Sequence, residues 1–186
     1  GDFLLLDLKT GKYRSTGWRQ YVRNQIPLFK PLLQGNSIIP KSVDEYWLLA
    51  TNGLFSYSTK THLFNYYPSD LIREFQGLSL YTSVHNKLWM GSYNNGIVAF
   101  DIKSKTWKSW LLPDSLLDSH HLQSLYSLQV ISPNKIIGIS RNHVVVFNPI
   151  NEQFSSLSIT GLEGEPLPIS PQALFIDKKA NRLWIA

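Results

Sequence analysis

Aromatic and planar polar side chains occur together at Trp18, Arg19, Tyr21 and Arg23, at Tyr93, Asn94 and Asn95, at His120 and His121, and at Arg141, Asn142 and His143. Such a mixture suits recognition of polyhydroxylated ligands. Flat rings stack on the apolar faces of sugars, while amides and guanidinium groups pair hydroxyls or carboxylates in fixed directions. These residues are the candidate ligand-binding set. Tyr93, Asn94, Asn95 and Arg141 to His143 also read as ordinary turn residues, Asn because it tolerates positive φ, so the signal lies in the group rather than in any single member. Reactive constellations are thin. The adjacent His120 and His121 would point to opposite faces of an extended strand and could not chelate one metal ion. There is no HExxH, GxSxG or glycine-rich phosphate loop. Asp114 and Asp118 could form a carboxylate pair, but their spacing suits a polar loop equally well. We expect no catalytic residues, no metal ligands and no cofactor, and binding rather than chemistry.

What positions these residues is read from composition and repetition. The 186 residues include no cysteine, are 43% hydrophobic and 13% aromatic, and carry only 17% charged residues. A chain this apolar can offset its ordering entropy and bury a core, which excludes a disordered segment. The absence of cysteine eliminates a disulfide framework, thiolate zinc and iron–sulfur sites, and a thiol nucleophile. No apolar run approaches the roughly 20 residues needed to span a bilayer. The chain opens at Gly1 within a strand-like run, as expected of a mature or excised segment from which targeting information has been removed.

Three stretches align with one another: YWLLATNGLFSY (46–57), LWMGSYNNGIVAF (88–100) and IIGISRNHVVVF (136–147), with a fourth opening as LWIA at Leu183. The second residue of each copy falls at Trp47, Trp89, Ile137 and Trp184, giving separations of 42, 48 and 47 residues. A module of that size implies a stacked or radial array. Within each copy a short apolar run, a small or polar turn, a second apolar run ending in an aromatic, and a Lys-bearing turn follow in order. Another apolar run precedes each copy, and hairpin-type clusters of Gly, Asn, Ser or Thr separate the β-prone runs. Four antiparallel strands in about 45 residues make a β-propeller blade. With the strands of a blade named A to D, the chain holds C and D (1–17), three complete blades (36–67, 78–111 and 122–159), and A and B (172–186). The expected fold is therefore all-β, a propeller of four blade-equivalents, either a closed four-bladed ring or a slice of a larger propeller, the latter preferred. Residues 115–128 also carry near-helical spacing, and there the repeat register is followed in placing strand A.

At LWMGSYNNGIVAFDIKSKTW (88–107), DLKTGKY (7–13) and NRLWIA (181–186) the sequence resembles the two-component regulator propeller repeat. The copy at 46–57 has Leu49 where the repeat has Gly, and the copy at 136–147 lacks the Trp. The resemblance implies the periplasmic sensor region of a bacterial hybrid two-component regulator, which recognises a saccharide and signals through a membrane helix to a histidine kinase outside this segment. Its implied partners are an oligosaccharide, the remaining blades of the same propeller, and a possible second copy in a homodimer. The alternatives are a propeller enzyme acting on polysaccharide, a lyase or glycosidase, and a structural or protein-interaction propeller.

In a meander successive strands reverse, so B-to-C and D-to-A connections share one end of a blade, and A-to-B and C-to-D turns the other. All of the candidate residues above, together with Asn52, Asp70 and Arg73, fall at the first end. Nine of the twelve lysines, Lys9, Lys12, Lys60, Lys87, Lys103, Lys105, Lys135, Lys178 and Lys179, fall at the second. The net charge of +5 invites a nucleic-acid reading. Lysines at equivalent hairpin turns instead suit solubility and edge protection, and no nucleic-acid partner is expected. Trp47, Trp89 and Trp184 share one repeat position on an inner strand and are expected to pack between blades rather than to bind.

Overall fold

The computed structural model of the chain describes residues 4–25, 38–50, 53–72, 80–84, 86–117, 123–140, 143–157, 173–177, 179–180 and 182–185. The protein is mostly β-strand, organised as separate antiparallel sheets, and the chain divides into two compact units, Gly1–Asp70 and Leu71–Ala186.

In the first unit, β1 (Leu4–Leu6) and β2 (Tyr13–Ser15) form a two-stranded sheet. A helix, α1 (Trp18–Gln25), follows, and then a four-stranded meander of β3 (Ile38–Pro40), β4 (Glu45–Ala50), β5 (Gly53–Ser58) and β6 (Phe64–Pro68). The second unit begins with a meander of β7 (Leu80–Val84), β8 (Lys87–Gly91), β9 (Ile97–Asp101) and β10 (Trp107–Trp110). It continues with β11 (Tyr126–Ser132), β12 (Lys135–Ile139), β13 (Val144–Asn148) and β14 (Gln153–Leu157), and closes on the pair β15 (Leu174–Asp177) and β16 (Arg182–Ile185).

The repeat reappears in the pairing register. Trp47 lies opposite Ile39 and Ser56, Trp89 opposite Tyr81 and Ala99, and Ile137 opposite Gln129 and Val146. Trp184 lies opposite Phe175 in the same relation. The central strands of the sheet β11–β14 are apolar along their length because both of its faces are covered. Thus the sheet of β11–β14 turns Ile136, Val145 and Phe147 into one core with Trp89, Ala99 and Trp110, and Ile137, Ile139 and Val144 into another with Leu174. In the first unit Leu5 packs against a core of Trp18, Val22, Leu48, Phe55, Tyr57 and Phe64.

The turns at the lysine end repeat at atomic detail. In each C-to-D turn the fourth residue after an Asp, Ser or Asn donates its N–H to that residue's carbonyl: Gly11 to Asp7, His62 to Ser58, Lys105 to Asp101 and Glu152 to Asn148, all at 2.8–2.9 Å. Each donor has φ between 59° and 68°, yet only the first is glycine. Side-chain oxygens close the same turns, as when Asp101 Oδ1 accepts from the N–H groups of Lys103 and Ser104 at 2.9 Å. Hydrogen bonds from Thr59 N–H to Asp44 O and from Ile102 N–H to Asn86 O, both 2.8 Å, tie the C-to-D turn to the A-to-B turn of its own sheet. The two kinds of turn therefore share one end, as the meander requires.

Three expectations are corrected. Residues 18–25, read as part of a loop, form α1. Ser15 and Thr16 hydroxyls accept from the N–H groups of Gly17 and Trp18, while Gln20 donates to Asn24 one turn on. Residues 114–116 form a short 3-10 turn that buries Leu116 ahead of β11, where the helical spacing had been set aside. Trp184, expected to pack like Trp47 and Trp89, is 58% exposed, because no further sheet among the described residues covers that face of β15–β16.

Candidate functional site

The loop-rich end of the second unit is built around the β8–β9 connection, Ser92 to Gly96. Gly96, at φ 60°, returns the chain into β9 where a Cβ would collide with the Trp110 carbonyl, so glycine is required by both conformation and space. The loop is tied on both sides. Asn95 Nδ2 and the Ser92 hydroxyl donate to the Leu71 carbonyl at 2.9 and 3.3 Å. On the other side Gly96 N–H donates to the Gln123 carbonyl at 2.8 Å, Leu125 N–H to the Ser92 carbonyl at 2.9 Å, and the Ser124 hydroxyl to the Tyr93 carbonyl at 2.9 Å. Gln123 in turn brackets Leu112, accepting from its N–H at 2.5 Å and donating to its carbonyl at 3.2 Å. The connections before β7 and β11 are thereby fastened to one B-to-C loop, which displays a half-buried Tyr93 and an exposed Asn94.

His143 occupies the register position that Gly53 and Gly96 hold in the other two meanders, and its side chain is half-buried. Reciprocal bonds, Ser140 N–H to His143 O at 3.0 Å and His143 N–H to Ser140 O at 3.4 Å, close this connection. The Ser140 hydroxyl is buried with no hydrogen-bond partner among the described residues. The equivalent Ser92 hydroxyl, by contrast, is bonded.

In the first unit α1 leads away from the same end of its sheet. Arg19 and Arg23 are exposed, and Tyr21 is half-buried against Phe64, its ring 5.1 Å away, with burial raising its phenol pKa. Trp18 is a correction. It is 0% exposed, edge-on to Phe55 at 4.4 Å and beside Phe64 at 5.3 Å, so it is a core residue and offers no stacking face. Asn95 likewise spends its amide on Leu71 and acts as a loop tie. Asn52, Arg73, His120, His121, Arg141 and Asn142 lie outside the described residues. Sequence reasoning missed Ser92, Gln123 and Ser124, which hold the loop. Their only signal is polar character beside a strand end.

The lysine end differs in kind. Lys87 and Lys108 lie 5.8 and 4.8 Å from the Trp110 ring centroid, and Lys108 pairs with Glu152 at 2.6 Å, a contact that holds the Glu152 carboxyl below its usual range. Among the described residues no group of three or more His, Cys, Asp or Glu is placed to hold a metal ion, and no helix is long and apolar enough to cross a membrane.

No family model and no curated protein matches the chain. Solved structures do. An extracellular domain from B. thetaiotaomicron, described as that of a one component system, BT4673, aligns over 99% of this chain and 24% of its own at 17% identity, with a TM-score of 0.67. The extracellular domain of BT3049 from the same organism, described as a hybrid two component system, aligns over 98% and 22% at 15% identity with a TM-score of 0.63. A BT4673 structure described as a hybrid two component system aligns over 80% and 19% at 16% identity with a TM-score of 0.55. The fold is that of these extracellular domains. The chain spans about a fifth to a quarter of their length.

Proposed function

We propose that the chain is part of the extracytoplasmic sensor propeller of a bacterial hybrid two-component regulator, that each four-stranded meander is one blade, and that the loop-rich end recognises a saccharide without turning it over. The observation that carries the reading is the fold match, along 98% and 80% of the chain, to extracellular domains described as belonging to hybrid two component systems. The partial coverage of those domains, together with the exposed Phe175 and Trp184 on β15–β16, supports a slice of a larger propeller whose remaining blades cover that face. Fold alone does not name a ligand. Support for a saccharide comes from the display of Tyr93, Asn94 and His143 on tied loops, with Tyr21, Arg19 and Arg23 on α1 as the corresponding surface of the first unit. Arg141, Asn142, His120 and His121 belong to the proposed surface by their place in the sequence. A second copy of the chain and an adjoining kinase remain part of the proposal for the parent protein.

The test is incubation of the chain with a panel of oligosaccharides, following both binding and the appearance of new reducing or unsaturated ends. Binding without product is the expected result. Product formation would establish a lyase or glycosidase instead, and failure to bind any member, with a dimer that survives dilution, would establish an interaction module.

A further inference from the structure

The turn end of the sheet β11–β14 holds a groove of about 310 Å3, lined by Asn134, Lys135, Asn148, Asn151 and Gln153 and walled by Phe154. Its volume is at the lower limit of small-molecule sites, room for roughly one sugar-sized ligand. The amides in it are oriented, because local hydrogen bonds engage their oxygens. Asn148 Oδ1 accepts from Ile150 N–H at 2.9 Å and Asn151 Oδ1 from Gln153 N–H at 3.2 Å, so backbone donors fix both orientations. Gln153 Oε1 then accepts from Asn151 Nδ2 at 3.1 Å, and Asn134 Oδ1 accepts from the Ser132 hydroxyl at 2.6 Å. Around the groove this leaves as donors the NH2 groups of Asn134, Asn148 and Gln153 and the ammonium of Lys135, beside the Ser155 hydroxyl, which can donate or accept.

Among the described residues, none that lines the groove carries a carboxylate. The neighbouring Glu152 is held by Lys108, with both its oxygens within 2.8 Å of the ammonium. A ligand hydroxyl carries no charge to match the ammonium and offers two lone pairs. A carboxylate is acceptor-only, with about four lone-pair positions, and its bonds to such donors are charge-assisted.

We infer that this groove is a second ligand site, at the end of the sheet opposite the Tyr93 and His143 loops, and that it binds the carboxylate of a small ligand with Phe154 as its apolar wall. The site does not depend on the sensor reading, since it rests on the donor geometry of one sheet.

Ligand-observed saturation-transfer NMR on the chain, which tolerates self-association, tests it with glucuronate, glucose and acetate as probes. Transfer to glucuronate but not to glucose is expected, and competition by acetate would show the carboxylate to be the anchor; acetate that leaves glucuronate in place would overturn it. Asn148→Asp keeps the oxygen that accepts from Ile150 and replaces the donor NH2 with a second anionic oxygen. Lys135→Gln removes the ammonium from an exposed position and so carries the test even if the first variant fails to fold. Each should weaken glucuronate binding by about tenfold or more, while Lys103→Ala, in the equivalent turn region of β9–β10, should leave it unchanged. The inference is overturned if glucose and glucuronate bind alike, if glucuronate gives no transfer, or if Lys135→Gln binds as well as the parent chain.

Discussion

Trp89 lies 5.4 Å from Trp110 and 5.8 Å from Phe147 by ring centroids, in the core between the sheets β7–β10 and β11–β14. Truncating it to Ala removes that contact and leaves a void, at an expected cost of roughly 3–5 kcal/mol in denaturant melts. Trp18→Ala should likewise act through stability, because the ring is enclosed by Phe55 and Phe64. Trp184→Ser should change stability of the isolated chain by no more than about 0.5 kcal/mol, since the ring is exposed. Acid is a further probe at this scale. Backbone N–H donors hold the Asp7 and Asp101 carboxyls below their usual 3.8, from Lys9 and Thr10 in the first case and from Ser104 and Lys103 in the second. A depressed native pKa contributes stability that is complete above the unfolded-state value and is lost as pH falls through the native one. Melting midpoints should therefore fall below about pH 4, and less steeply in Asp101→Asn, which keeps the turn oxygen but cannot titrate.

The meander elements were legible because strand, turn and register signals all repeat. The separations of 42, 48 and 47 residues mark the positions that pair alike in the structure. The turns show which part of that pattern is physical necessity. Gly11, His62, Lys105 and Glu152 share a left-handed conformation, and only at Gly11 does the residue type match it without cost. Since nothing lies within 4 Å of a Cβ built on Gly11, Gly11→Ala isolates the backbone term and should destabilise by about 1 kcal/mol. Lys105→Gly should be neutral or stabilising by a similar amount, both read from thermal melts. The helix α1 was readable but overridden. Trp18, Tyr21 and Val22 have i, i+3 and i+4 spacing, which a repeat-first reading assigned to a connection. That misreading also put Trp18 on the surface, for a helix buries the stripe that a loop would have displayed. The ties from Ser92, Gln123 and Ser124 were not legible, because they run between connections far apart in sequence and depend on backbone carbonyls that carry no residue signature.

For the molecule as a whole, both two-stranded sheets expose large apolar side chains among the described residues. Leu4, Leu6 and Tyr13 are exposed on β1–β2, and Phe175 and Trp184 on β15–β16. A contiguous apolar sheet face promotes association. The isolated chain should therefore self-associate in sedimentation velocity, and the combined Phe175→Ser and Trp184→Ser variant should shift it toward monomer. A wild-type chain that stays monomeric at high concentration would count against the proposed slice. The all-β class was legible from repetition, and the sorting of the connections onto two ends of each sheet follows from strand reversal alone. Which loop residues are displayed was not, because burial sets Trp18 apart, and the bond to the Leu71 carbonyl sets Asn95 apart, from Tyr93 and Asn94 in a way that residue type cannot. The most direct measurement is the affinity of the chain for its tightest neutral oligosaccharide in Tyr93→Ala and Lys103→Ala. A loss of about tenfold or more in the first with no change in the second is the predicted result. Equal losses, or loss only in Lys103→Ala, would contradict recognition at the loop-rich end.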